Sequence, residues 1–236
     1  MNATIAWITA RGLFGRSRFL LLFPLPLILI GMAWLGSSLG HPEEFAFPVL
    51  GGIGIATLLP VTALIVGTAV LGSEIDDGTV VHILTKPIPR WKIVLSKLVV
   101  AFGVTTITVA VPMLIAGIVT DGWRLGLGLA AASAVGALAY SALFIALSVL
   151  TRRPVLVGLL YVMIWEGLLS NAVSGTRVLS IQQYVISLAH KWADTSLING
   201  TVSITVAFIM SAVFTALGFC FATDRLRSFS VAGETS

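Results

Sequence analysis

Apolar residues run through this chain in long blocks separated by short polar connections. Six blocks are long enough to cross a bilayer as helices, which takes about 20 residues each. They cover residues 19–37, 47–72, 93–119, 125–150, 154–172 and 202–222. The pattern predicts an all-α integral membrane protein, one transmembrane domain over residues 1–236 with six transmembrane helices. The connection between the third and fourth blocks, "TDGWR", is so short that these two spans form a tight helical hairpin. The first block follows Arg11, Arg16 and Arg18 and looks at first like a signal peptide. It has no convincing small-residue cleavage site, and Pro24 and Pro26 lie inside it, which predicts a kinked, retained span.

Three segments outside the blocks have a character of their own. Residues 1–18, "MNATIAWITARGLFGRSR", carry Ile5, Trp7 and Ile8 with Arg11. They read either as a helix lying in the membrane interface, with Trp and Arg at headgroup level, or as a basic tail before a span. In residues 174–199 the apolar side chains Val178, Ile181, Tyr184, Val185 and Leu188 recur near helical spacing. This is an amphipathic segment on the outer side. The third segment, residues 73–92, is the one strongly polar internal connection. It begins "SEIDDGT", continues through the apolar "VVHILT", and closes on "KPIPRWK". Gly78 can break a helix there, and Pro87 and Pro89 suit the start of the next span rather than the end of the last. The connection therefore reads as a short helix, a turn and a Pro-started third span anchored by Trp91. It is too polar to face lipid and too apolar to be a free linker, which makes it a docking surface.

Composition supports lipid as the solvent. The 236 residues are 57% hydrophobic and 10% charged, against about 25% charged in soluble domains, and the mean hydropathy is +1.03. The basic residues also fix an orientation. Arg11, Arg16, Arg18, Lys86, Arg90, Lys92, Lys97, Arg152, Arg153, Arg225 and Arg227 fall on the side of the N-terminus, and only Arg124, Arg177 and Lys191 on the other. Both termini and the 73–92 connection are therefore expected in the cytoplasm. The same asymmetry accounts for a pI of about 9.6 without nucleic acid. The single cysteine, Cys220, lies in an apolar run, which excludes an intrachain disulfide framework and reads as a small hydrophobe.

Packing is partly legible. The fourth block places Gly126, Gly128, Ala132, Gly136 and Ala139 at roughly helical spacing, and the second opens on "GGIGIA". Small residues let helix backbones approach where lipid supplies no hydrophobic drive. The surfaces serve either packing within the chain or a seam between two chains. No internal repeat is present, which weakens a transporter built of inverted repeats.

Catalytic motifs are missing. The chain holds no G-x-x-x-x-G-K-[ST] phosphate loop and no H-E-x-x-H. His41, His82 and His190 are scattered, without the spacing that pairs metal ligands on a helix. No Ser/His/Asp set can be assembled, so any catalytic power comes from a partner. One acid remains inside a span: Glu166, in "LLYVMIWEGLLSNA", lies roughly 18 Å from residue 154 at about 1.5 Å per residue, just past the middle of a ~30 Å core. It should face protein or water rather than lipid. It either lines a substrate pathway or makes a structural hydrogen bond.

The order acid-x-acid-acid-Gly-Thr, then Ile-Leu-Thr-x-Pro, then Arg, then Lys at the head of a span resembles the cytoplasmic loop of ABC type-2 permeases. Here these are Glu74, Asp76, Asp77, Gly78 and Thr79, then Ile83, Leu84, Thr85 and Pro87, then Arg90 and Lys97. The layout is similar along the whole chain: interfacial helix, six spans, both ends inside, and a long outer connection before the last span. The resemblance implies that residues 73–92 form a coupling helix seated on a separate cytosolic ATP-binding subunit, through Glu74, Asp76, Asp77, Gly78, Thr79 and Arg90. It implies a second permease chain, identical or homologous, and a place in the plasma membrane. It also implies no cofactor in this chain, since ATP and magnesium belong to the partner. In that family short helices before the last span dip into the outer leaflet; a plain surface amphipathic helix is the alternative for residues 174–199. The function expected is the membrane subunit of an ATP-driven exporter of a lipophilic cargo. The other reading is a six-span scaffold or intramembrane enzyme with no ATPase.

Overall fold

The structure is a computed structural model that describes residues 22–76, 89–172, 174–195 and 197–232, with the backbone alone at 72–76, 171, 174 and 227–232. The segment 1–18, read as an interfacial helix, lies outside the described residues, as do Asp77, Gly78 and Thr79.

The described residues are helical almost throughout, with no strand among them. In chain order they form α1 (Pro24–Ser38), α2 (Pro42–Ala46), a wide-turn π segment π1 (Phe47–Leu58), and α3 (Leu59–Asp76). Next come α4 (Arg90–Asp121), α5 (Trp123–Leu150), α6 (Pro154–Leu160), a second π segment π2 (Tyr161–Leu169), and α7 (Ser170–Ala172). A 3₁₀ turn (Ser174–Leu179), α8 (Ile181–Ala193) and α9 (Ile204–Ala232) complete the chain. Proline opens α1, α2 and α6 at a first-turn position, where its missing N–H has no intrahelical partner to lose. Pro24 thus starts a helix rather than kinking one.

Among the described residues four helices are long and apolar enough to cross a membrane: Pro42–Leu71, Arg90–Asp121, Trp123–Leu150 and Ile204–Leu226. The other two apolar helices, Pro24–Ser38 and Pro154–Leu169, are shorter than a full span. The fifth block is not one straight α-helix either: it widens into π2, and the chain then turns back on itself. The sequence pattern marks apolar length but not where a helix breaks.

Helix α5 is the hub, packed by α3, α4, α6, α8 and α9. The α4–α5 hairpin closes on Gly122 alone, whose φ of 99° suits glycine. Beside it Gly117 and Gly126 meet so closely that a Cβ on Gly117 would lie 2.6 Å from the Gly126 Cα. Gly126, Gly128, Ala132, Gly136 and Ala139 all face inward on α5, so this small-residue surface serves packing within the chain.

The interior divides into two apolar clusters. The larger joins α1, π1, α5 and α8 through side chains such as Leu29, Leu50, Leu129 and Tyr184. The smaller gathers the end of α3 (Val66, Val70, Leu71), the start of α4 (Ile93, Val94, Leu98), and the ends of α5 and α9 (Val149, Leu226). This second cluster lies where α3 ends and α4 begins, at what we term the loop end.

Candidate functional site

Helix α8 is the unusual element. Ile181 through Ala189 are all buried, polar residues included, so it does not lie on a surface. Its register against α5 shows how it runs. Gly128 packs on Ala193 and Gly136 on Val185, so α8 is antiparallel to α5 and its N-terminus reaches deepest into the bundle, opposite Tyr140. That depth is ten residues from the end of α5, about 15 Å at 1.5 Å per residue. A helix start there presents four backbone N–H groups with no intrahelical partner and no bulk water to take them.

Every one of the four is matched. The Ser180 amide donates to the Arg177 carbonyl at 3.3 Å. The Ile181 and Gln182 amides donate to the Glu166 carboxylate, at 3.0 Å to Oε1 and 3.4 Å to Oε2. The Gln183 amide donates to the Ser180 hydroxyl at 3.2 Å. Ser180 is the N-cap, with extended φ and ψ, and its own hydroxyl hydrogen goes to Glu166 Oε2. The Tyr161 hydroxyl completes the set, donating to Glu166 Oε1 at 3.0 Å. Glu166 is 1% exposed. A carboxylate at the start of a helix is favoured by the helix dipole as well as by the bonds themselves.

The surrounding groups reinforce this geometry. Of the chain's three tyrosines, Tyr161 bonds Glu166 directly, and Tyr140 and Tyr184 are fully buried. Tyr184 donates to the Val178 carbonyl, the Trp165 indole donates to Leu179 O at 3.1 Å, and Thr176 donates to Leu169 O at 2.8 Å. These bonds pin the turn 170–180 between π2 and α8. Glu166 itself sits within π2, and wide turns of this kind recur at functional sites. Sequence reasoning found Glu166 but not Ser180, Tyr161 or Tyr140. A signal for Ser180 was present: Ser180-Ile-Gln-Gln183 has the spacing of a capping box ahead of a periodic apolar run.

At the loop end the described residues are fewer. Glu74 and Asp76 lie in the last turn of α3 and Arg90 opens α4 behind Pro89. Trp91 is half exposed with the Lys92 ammonium 5.6 Å from its ring centre. Lys97 departs from expectation. The sequence places it with the basic residues of the N-terminal side, but it is fully buried, and its ammonium donates to the Val70 carbonyl of α3 at 2.7 Å. Removing it from the count leaves the asymmetry of basic residues intact.

Two open apolar grooves flank α9. One, of about 860 Å³, lies against the end of α5 between Leu147, Leu150, Phe214 and Phe221. The other, of about 590 Å³, lies against α4 and α5 between Leu98, Phe102, Leu138 and Phe208. Gly218 rests on the Ala142 backbone between them. Among the described residues, no three His, Cys, Asp or Glu side chains come together as a metal site.

The family model described as "ABC-2 family transporter protein" matches residues 9–208. No curated protein matches the chain.

Proposed function

The chain belongs to the ABC-2 family of transporter proteins, and from that premise we propose that it is the permease subunit of an ATP-driven exporter. A separate cytosolic subunit hydrolyses ATP, with its magnesium, and seats on residues 73–92 of this chain. Glu74, Asp76, Asp77, Gly78, Thr79 and Arg90 form the contact. Two permease chains, identical or homologous, make up the membrane part, with both termini in the cytoplasm and the complex in the plasma membrane.

The observation that carries this reading is the family match across residues 9–208 in a chain with no phosphate-binding loop of its own. The polar connection supports it. Solvated charges of both signs contribute little to the fold, but they can define an interface and its register. The grooves beside α9, lined mainly by aliphatic and aromatic side chains, support a lipophilic cargo. Glu166, with donors on both carboxylate oxygens, supports a role in holding α8 at mid-depth, and through α8 any pathway that α8 borders.

The test is capture. Tagged permease should copurify an ATP-hydrolysing subunit from its own cell. Replacing Glu74, Asp76 and Asp77 together by Ala should reduce that capture at least tenfold while the permease still accumulates in the membrane. Equal capture by the triple variant removes the assignment of residues 73–92.

A further inference from the structure

Lys97 carries a second inference, which rests on the coupling reading above. The residue lies two turns inside α4, about 10 Å from Arg90 at 1.5 Å per residue. Helical side chains lean toward the N-terminus, and for α4 that direction is the loop end. A lysine in this position would ordinarily extend its stem along apolar surface and put its ammonium in water. Lys97 does not. It is 0% exposed, within the cluster of Val66, Val70, Ile93, Val94 and Leu98, and its ammonium crosses to the Val70 carbonyl at 2.7 Å.

Taking an ammonium out of water is costly, and good partners only offset that cost. Within a membrane span such a residue is by default functional rather than a stabiliser of the fold. The place of the bond gives the function. Val70 lies two turns before Asp76, where α3 enters the polar connection, and Lys97 lies two turns after Arg90, where α4 leaves it. The bond therefore joins the two helices at the base of that connection.

We propose that Lys97 is a positioning residue for coupling: its ammonium clamps the end of α3 to the start of α4, so that a push from the ATP-hydrolysing subunit moves both spans as one body. It touches neither nucleotide nor cargo.

The test uses the permease copurified with its ATP-hydrolysing subunit, in lipid nanodiscs, with ATP as the only added ligand. Lys97→Met keeps the length and apolar stem but removes the ammonium. Val70 lies inside α3, where its carbonyl has an i+4 amide partner, so that carbonyl is not orphaned in Lys97→Met. The clamp predicts unchanged capture of the subunit and an unchanged KM for ATP. It predicts at least a fivefold fall in maximal hydrolysis per captured complex, with partial recovery in Lys97→Arg. In the isolated permease, amides of residues 66–76 should exchange at least tenfold faster in Lys97→Met. A wild-type hydrolysis rate per complex, or unchanged exchange at 66–76, overturns the clamp. So does a loss of activity fully explained by less complex, because Lys97 then serves only the fold. Failure of the wild-type permease to capture any ATP-hydrolysing subunit removes the coupling reading itself, and the clamp with it; that result is seen before any variant is made.

Discussion

Among the described residues one acid, Glu166, and one base, Lys97, are buried, and they are buried differently. Glu166 sits at mid-depth with its two carboxylate oxygens taking the Tyr161 hydroxyl, the Ser180 hydroxyl and the Ile181 and Gln182 amides. Lys97 sits near the loop end, fully buried, and donates a hydrogen bond to a main-chain carbonyl of a neighbouring helix. The first replaces water for a helix start that has none. The second joins two helices that would pack against each other without it. A charge that satisfies orphaned backbone groups belongs to the fold, whereas one that adds a bond to helices already packed belongs to their relative motion. Stability measurements separate the two roles.

The largest effect is expected at Glu166. Glu166→Ala leaves the Ile181 and Gln182 amides buried without an acceptor, at about 1–3 kcal/mol each. The variant should therefore lose roughly 2–6 kcal/mol and melt well below wild type in detergent. Lys97→Met should melt close to wild type, and an equal loss at both positions would erase the distinction. Glu166→Gln sharpens it. The Tyr161, Ser180, Ile181 and Gln182 groups all donate to the carboxylate, so a glutamine amide, with one acceptor oxygen and an NH₂ facing donors, fits poorly; a loss of about 1–3 kcal/mol is expected. Impaired transport in Glu166→Gln alone would thus not identify a pathway residue.

A smaller effect tests whether α8 is held by packing as well as by its cap. A Cβ on Gly128 would lie 2.7 Å from the Ala193 amide nitrogen, and backbone cannot step aside as a side chain can. Gly128→Ala should cost about 1–3 kcal/mol, the usual range for overpacking. It should also raise amide exchange in α8 while leaving residues 66–76 unchanged. The least effect is expected from Arg124→Ala. Arg124 pairs with Asp194 at 3.6 Å, but both side chains are about three-quarters exposed, so the melting temperature should not move measurably. A clear drop would show that the far end of the bundle is more enclosed than its exposure indicates.

Legibility differed between the same two regions. Apolar length foretold the long helices, and the brevity of "TDGWR" foretold the hairpin closed by Gly122. The small residues of α5 foretold close packing, although not that α8 would fill the space beside Gly128 and Gly136. The segment containing α8 reads as amphipathic because Gln182, Gln183 and Ser187 share one side of the pattern. Those polar groups are buried: the Thr201 hydroxyl meets the Gln183 side chain at 3.5 Å, and the Val202 amide meets the Ser187 hydroxyl at 3.1 Å. Hydropathy reports what a side chain is, not whether another segment supplies its partner. Lys97 failed for a related reason. A lysine at the head of a span has water within reach, and nothing local in the sequence says that it will bond across to α3 instead.

Coupling through residues 73–92 is the central claim, and ATP-driven movement tests it most directly. The purified complex would be reconstituted in proteoliposomes with a fluorescent lipophilic amine as the probe cargo, and transport would be read together with ATP hydrolysis. The account predicts probe movement that requires ATP in wild type and falls at least tenfold when Glu74, Asp76 and Asp77 are all Ala, with hydrolysis falling to the rate of the ATP-hydrolysing subunit alone. Full ATP-driven transport by the triple variant would contradict it.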